Sequence, residues 1–261
     1  MTLTASDLVR YYYFATNPAF VGFRARSVRA LTVKLVPTKS ESTATLQSFF
    51  NHWYRMIPFL DSLRELTLLG ELTKEDARDI LLGLSDSARL VKFVCESDAL
   101  MNASWTSVVA QQDPEELGGF YNLMEGPIQP RATPSAFPNL RTLDTAVPFL
   151  RRMTVHNKNS VTITHLSVRM FRMQMQTTAD FISDTLGDAL VSLRVMRTFM
   201  EPLGDEKKRW FPRNLLYGTD SPMILCGILE APHLTYLEVL DNLEGDCIVR
   251  VSAIIGRRGS T

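Results

Sequence analysis

The sequence predicts an α/β fold, a curved solenoid in which short parallel strands form an inner sheet and helices cover its outer side. Three observations predict this fold. An apolar pattern, L-x-x-L-x-L preceded by a turn residue, recurs along the 261 residues. Several successive copies of the pattern are 23 or 27 residues apart. The segments between copies have the apolar spacing of amphipathic helices.

The recurring pattern has the signature of a strand that is buried on one face. Its last four positions alternate polar and apolar residues, as side chains alternate between the two faces of a β-strand. The first apolar residue is expected to pack beneath the turn that enters the strand. Three clear copies and four looser ones begin, in chain order, at Val28, Leu63, Leu90, Leu140, Ile163, Leu190 and Leu234.

The spacing of these copies identifies the type of repeat. Successive first positions are separated by 35, 27, 50, 23, 27 and 44 residues. Leucine-rich repeats have a period of about 20–29 residues, so three intervals fit one repeat each. The interval of 50 residues holds either a degenerate repeat or an inserted loop. We favour an inserted loop over residues 113–138, because Gly118-Gly119, Gly126-Pro127, Pro130 and Pro134 interrupt regular structure.

The segments between the strands are predicted to be helical. Apolar residues follow one helical face in residues 43–59, 73–84, 180–190 and 221–229. Strands that alternate with helices imply a parallel sheet covered by helices. A period of 23–27 residues makes stacked strand–helix coils the simplest arrangement, so the predicted fold is a curved leucine-rich repeat solenoid.

We interpret residues 1–261 as a single leucine-rich repeat domain. Residues 1–27 are expected to form a capping helix and turn, and residues 243–261 a C-terminal cap and tail. A repeat array needs such caps because its terminal repeats would otherwise expose the core. The aromatic run Tyr11–Phe14 fits the N-terminal cap, with an exposed aromatic platform as the alternative.

Composition excludes several classes of protein. The 28 Lys and Arg residues balance 28 Asp and Glu residues, which excludes a strongly basic nucleic-acid binder and a disordered, highly charged chain. Cys95, Cys226 and Cys247 lack the spacing of a disulfide framework or a zinc site. We therefore expect a reducing compartment, cytoplasmic or nuclear. No stretch of about 18 uncharged apolar residues suggests a membrane span.

No arrangement of residues in the sequence indicates a reaction. The phosphate-binding G-x-x-x-x-G-K-[ST] loop, the dinucleotide G-x-G-x-x-G motif, the H-E-x-x-H zinc motif and the G-x-S-x-G nucleophile elbow are all missing. The four histidines lie far apart and lack ligand spacing. We therefore predict no catalytic residues, no metal and no cofactor, and a scaffold that binds another protein. A doubly wound α/β enzyme is the alternative, and it would require polar residues at the carboxyl ends of central strands.

The strand pattern also predicts which side chains could bind a partner. Side chains that alternate with the buried ones point to the opposite, concave face of the sheet. Arg169 and Arg194 are expected to lie on neighbouring strands as the basic spot of this face. Its mixture of charges suits a protein better than the phosphates of a nucleic acid. The predicted protein-binding residues are Glu65, Lys92, Asp144, His165, Arg169, Arg194, Met196, Tyr236 and Glu238.

The N-terminal residues extend this interpretation to a family. The segment 7–14, the turn Asn17-Pro18-Ala19-Phe20 and the stretch Val28-Arg29-Ala30-Leu31-Thr32-Val33 resemble the region that follows the F-box in fungal F-box proteins with ribonuclease-inhibitor-like leucine-rich repeats. The resemblance covers most of residues 5–242, but the F-box pattern L-P-x-E-[IVL]-L is missing.

This resemblance implies a function in ubiquitin ligation. The chain would be the substrate-binding repeat region of an F-box-type ubiquitin-ligase adaptor. A Skp1-type adaptor protein would be a partner only if an F-box lies upstream. A repeat scaffold unrelated to ubiquitin ligation is the remaining alternative.

Overall fold

The structure is a computed structural model of the chain. It describes residues 2–4, 27–34, 53, 60–70, 80, 84, 89–96, 112–119, 121, 137–154, 162–171, 174–198, 231–243 and 247–254. The chain divides into two compact units, Met1–Leu140 and Arg141–Thr261, where the sequence was interpreted as one domain. Each unit has its own parallel strands and its own buried apolar side chains. The predicted α/β class with parallel strands is confirmed.

The first unit contains five described strands, all parallel and in chain order. They are β1 (Thr2–Thr4), β2 (Ala30–Lys34), β3 (Glu65–Leu69), β4 (Lys92–Cys95) and β5 (Glu116–Gly119). The register places equivalent positions of the repeated pattern opposite each other on β2 to β5, as the row Leu31, Leu66, Phe93 and Leu117 shows. All four side chains of this row are buried.

The second unit contains five described strands and two described helices. They are, in chain order, β6 (Thr142–Ala146), α1 (Val147–Thr154), β7 (His165–Phe171), α2 (Met175–Leu186), β8 (Ser192–Thr198), β9 (Tyr236–Leu243) and β10 (Cys247–Ile254). Strands β6 to β9 are parallel and follow chain order, whereas β10 runs antiparallel to β9. The buried row of this unit is Leu143, Leu166, Leu193 and Leu237.

The turns that enter the strands repeat the same hydrogen bonds. In the three clear copies, the first leucine donates its N–H to the carbonyl oxygen three residues earlier, at 3.0–3.1 Å. The residue before each of β2, β3, β4, β6, β7 and β8 then accepts two consecutive N–H groups from the segment that enters the next strand, as Arg64 O does from Val91 and Lys92. The first leucine of each clear copy is buried, as predicted.

The helices of the second unit cover the buried side of its strands. Helix α1 follows β6 without a loop and packs against β6 and β7. Pro148 is tolerated there because the first helical turn has no intrahelical partner for an N–H group. Helix α2 buries one face, and the Arg151 side chain of α1 lies over the Phe181 ring of α2, 5.9 Å from its centroid.

The inserted loop predicted over residues 113–138 is wrong for its first part, because these residues contain β5. Pro114 is buried and stands 24 residues after Leu90 and 26 before Leu140, so a degenerate repeat divides the long interval. Gly118-Gly119 ends the strand rather than preventing it, since Gly119 has a φ of 107° that glycine adopts readily. Residues 122–136 lie outside the described ranges.

Other predicted boundaries also differ from the structure. The N-terminal cap was expected to be helical, but Thr2–Thr4 forms β1 and pairs with β2. The aromatic run at residues 11–14 and the predicted helix at 221–229 lie outside the described residues. The helix predicted over 180–190 begins earlier and ends earlier, as α2 at Met175–Leu186. Within the ranges given above, every helix is shorter or more polar than a segment that could cross a bilayer.

Candidate functional site

The side chains predicted to point away from the core lie opposite the buried rows. In β3, β4, β7 and β8, exposed or half-buried residues alternate with buried ones over the first positions. Two of the nine predicted binding residues, Glu65 and Lys92, belong to the first unit. The other seven come together on β6 to β9 of the second unit: Asp144, His165, Arg169, Arg194, Met196, Tyr236 and Glu238.

A charged row crosses three strands of the first unit. Glu65, Lys92 and Glu116 are register partners on β3, β4 and β5. The Lys92 ammonium lies 2.8 Å from a carboxylate oxygen of Glu116. A hydrogen bond to Glu116 raises the pKa of Lys92, with additional electrostatic attraction from Glu116 and Glu65, while partial burial acts against it. Sequence reasoning missed Glu116 because it placed this residue in a loop.

The raised pKa of Lys92 predicts a pH dependence of stability. A lysine whose pKa is higher in the folded state stabilises the fold below its unfolded pKa and loses this contribution as pH rises through the folded pKa. We expect Glu116→Gln to remove most of this alkaline loss, which is about 0.5 kcal/mol because both side chains are well exposed. Urea unfolding from neutral to strongly alkaline pH measures it.

Glu65→Gln is the matched control for this experiment. Glu65 acts on Lys92 only through weak electrostatic attraction, so its replacement should change the alkaline limb less than Glu116→Gln does. Equal pH profiles for the wild type and Glu116→Gln would contradict the assignment of the pair.

The central row of the second unit combines one buried and one half-buried acid with an exposed cation. Asp144, Ser167, Arg194 and Glu238 are register partners on β6, β7, β8 and β9. Arg194 Nε lies 3.1 Å from Glu238 Oε2. The Arg194 side chain is 47% exposed, whereas that of Glu238 is 7% exposed. Glu238 therefore lies on the predicted face but is almost completely covered, contrary to the expectation of an accessible acid.

The two arginines of the predicted basic spot lie on neighbouring strands, as expected. Arg169 on β7 is the register partner of Met196, and Arg194 on β8 is that of Ser167. The two arginines are therefore diagonal neighbours, about 8 Å apart at their Cα atoms. Because Arg194 also pairs with Glu238, the Glu238 carboxylate partly neutralises the positive charge of this spot.

Polar and apolar side chains surround this central row on both sides. His165, Ser192 and Tyr236 form the row before it, and the His165 Nδ1 atom lies 2.8 Å from Thr164 Oγ1. The row after it contains Arg169, Met196 and Leu240. The face thus offers ion pairing, hydrogen bonding and apolar contact within a few strands.

The Arg194–Glu238 pair should be measurable by a double-mutant cycle. We expect Arg194→Ala to destabilise the fold by about 1–2 kcal/mol, because the covered Glu238 carboxylate loses a charge-assisted hydrogen bond. In the Glu238→Ala background the same replacement should cost much less. Arg169→Ala is the matched control, and its cost should be the same in both backgrounds. Additive effects of Arg194→Ala and Glu238→Ala in urea unfolding would refute the pair.

Several polar residues stabilise turns rather than form a site. The Gln112 side chain is 4% exposed, and its Oε1 atom accepts a hydrogen bond from the Leu90 backbone N–H at 3.2 Å. Asn139 donates a hydrogen bond to the carboxylate of Asp113, whose φ is 52°. Gln112 thus satisfies a buried backbone N–H at the turn before β4, as buried backbone groups require, whereas the Asn139–Asp113 bond is an exposed contact between side chains. Their spacing carries no sequence signal.

Arg197 is a charged residue at a core position that sequence reasoning missed. Arg197 follows the buried Val195 by two positions on β8, and it is 1% exposed. Its Nη1 atom lies 3.1 Å from the Met175 sulfur at the start of α2. The alternation of β8 places residue 197 inward, but an arginine there contradicts the apolar pattern from which the core was predicted.

The described residues also bear on metal binding and on known relatives. No group of three or more His, Cys, Asp or Glu side chains in the described ranges could hold a metal ion. Comparisons of the chain with protein-family models, with curated proteins and with solved structures found no match.

Proposed function

We propose that the chain is a non-enzymatic scaffold of the leucine-rich repeat type, a curved solenoid that binds another protein on its exposed strand face. The observation that carries this proposal is the repetition of one turn–strand unit. Equivalent leucines lie opposite each other in consecutive strands. Before β2, β3, β4, β6, β7 and β8, the carbonyl oxygen that precedes the strand accepts hydrogen bonds from the two equivalent N–H groups of the following copy. Repeats of this kind bury a continuous core only by stacking on their neighbours.

The strand order supports a repeat array over the doubly wound enzyme. In each unit, the described strands follow chain order without a reversal. A doubly wound fold binds its ligand where the strand order reverses, because the crossovers then leave a crevice. The order of these strands provides no such point within either unit.

The composition of the exposed face supports a protein partner. Arginine and tyrosine are common anchors of protein interfaces, and both lie here as Arg194 and Tyr236. In formal charge, Asp144 and Glu238 balance Arg169 and Arg194, so this face lacks the net positive charge that binding to the phosphates of a nucleic acid requires. A half-exposed surface that combines charged, polar and apolar side chains is typical of protein interfaces.

Site-specific crosslinking tests this function. A photoreactive amino acid at Ser192, on the exposed face, should crosslink a protein partner in cells. The same group at Asp184, on the exposed side of α2, is the matched control and should not. Arg194→Glu together with Arg169→Glu should abolish the Ser192 crosslink. Crosslinking from Asp184 alone, or a Ser192 crosslink unaffected by the charge reversals, would contradict the proposal.

The resemblance to F-box proteins adds a more specific proposal. The chain would read substrates for a ubiquitin ligase in the cytoplasm or nucleus, and a Skp1-type adaptor would be a partner only if an F-box lies upstream. Because the F-box pattern is missing from the 261 residues, this chain should fail to bind a purified Skp1-type adaptor. Tight binding in such a pull-down would contradict this part of the proposal.

A further inference from the structure

The charges on the exposed face of the second unit differ in their accessibility. In formal charge, Arg169 and Arg194 balance Asp144 and Glu238. The Glu238 side chain is 7% exposed, and one carboxylate oxygen of Asp144 is fully buried. Arg194 is 47% exposed and His165 is exposed. A partner that approaches this face therefore meets the Arg194 guanidinium before it meets the Glu238 carboxylate.

The neighbours of Arg194 differ between its two sides. Toward β7, its diagonal neighbours on the same face are His165 and Arg169. Toward β9, they are Tyr236 and Leu240, and Met196 lies two positions along its own strand. Tyr236 and Met196 are half-buried, so they present apolar surface without being part of the core. A polar, cationic side and an apolar side thus meet at Arg194.

The Arg194 guanidinium is held by its ion pair with Glu238. It carries five N–H donors in a planar fork, and the Glu238 pair involves Nε. A covered carboxylate beneath the guanidinium limits its rotation, which lowers the entropy that a partner must remove on binding. The planar fork favours carboxylates, which it binds through two parallel hydrogen bonds.

We propose that this face binds an acidic segment of a protein partner, in which one Asp or Glu carboxylate pairs with Arg194 and an adjacent apolar side chain packs on Tyr236 and Met196. The inference rests on the proposed function and adds the chemistry of its partner. Charge complementarity carries it, since the Arg194 side chain is 47% exposed whereas the side chain of Glu238, its ion-pair partner, is only 7% exposed. The pairing would be a charge-assisted, two-point hydrogen bond.

Selection from a random peptide library displayed on phage tests this proposal with the full chain. Recovered peptides should be enriched in Asp and Glu relative to the input library, with an aromatic or aliphatic residue next to the acid. Peptides recovered without acidic enrichment would overturn the inference and leave the proposed function standing. Recovery no higher than from an empty support would contradict both.

Variants then locate the contact. A selected acidic peptide, labelled for fluorescence anisotropy, should bind the Arg194→Gln chain about tenfold more weakly, the loss expected for one charge-assisted pair. Arg141→Gln makes the same change of charge outside β6 in the same unit, and it should leave the affinity within about twofold. Equal effects of the two replacements would overturn the proposal.

A second variant separates binding from folding. Arg194→Lys keeps the positive charge that faces Glu238 but lacks the planar fork, so it should fold and still bind the peptide more weakly than the wild type. Full affinity of a folded Arg194→Lys chain would show that only net charge matters and would remove the two-point contact. Replacing the acid of the peptide by its amide should have no further effect on Arg194→Gln.

Discussion

Gly119→Ala is expected to destabilise the first unit by about 3 kcal/mol or more. The φ of Gly119 is 107°, a conformation that costs an L-residue about 1–2 kcal/mol. A Cβ atom at this position would also overlap the backbone carbonyl oxygen of Cys95 on β4. Backbone cannot move aside as a side chain can, so β5 must separate from β4 and lose ladder hydrogen bonds, each worth about 1 kcal/mol. Urea unfolding measures the total cost.

Gly118→Ala is the matched control on the preceding residue. Its Cβ atom would lie 3.2 Å from Val94 Cγ2, which is a side-chain atom that can shift by a few tenths of an ångström. We expect a cost below about 1 kcal/mol for this replacement. Equal unfolding midpoints for the two variants would contradict the close approach of β5 to β4. Hydrogen exchange of the Glu116 amide, which donates to the carbonyl oxygen of Val91 before β4, should also become faster in Gly119→Ala alone.

Leu193→Ala is expected to destabilise the second unit by about 2–5 kcal/mol. Leu193 has no exposed surface and lies on β8 between its register partners Leu166 and Leu237. Truncation would remove apolar contacts in the middle of the buried row and leave a cavity that the rigid strands cannot close. Thermal and urea unfolding both measure this loss.

Ser192→Ala tests the opposite face of the same strand. Ser192 is half-buried on the exposed side of the sheet, so its replacement should change stability by no more than about 0.5 kcal/mol. A large cost for Ser192→Ala together with a small one for Leu193→Ala would mean that the two faces of β8 are reversed.

The strands were the most predictable part of this protein. A strand that is buried on one face must alternate apolar and polar residues, and it does so within five or six neighbouring positions of the chain. The copies at Leu63, Leu140 and Leu234 therefore located β3, β6 and β9. The parallel direction followed from helical segments long enough to return the chain to the same edge of the sheet.

The strand β5 could not be predicted from the same pattern. Its copy reads Pro114, Leu117 and Gly119 at the positions where Leu90, Phe93 and Cys95 stand in the copy before it. Proline and glycine are turn signals in a local reading. Pairing with β4 outweighs that local preference, since the neighbouring strand supplies both the hydrogen bonds and the apolar contact of Leu117.

For the strands at the seven copies of the pattern, the sequence by itself determined which side is buried, because alternation is a property of a single segment. It also determined that Arg194, Glu238 and Tyr236 belong to one exposed face. Only the tertiary structure decided the depth of each charge. Aligning the repeated pattern already sets Arg194 opposite Glu238, but only the folded structure shows that the carboxylate is covered while the guanidinium stays accessible. Burial depends on contacts between strands that lie more than 40 residues apart, and no local pattern encodes it.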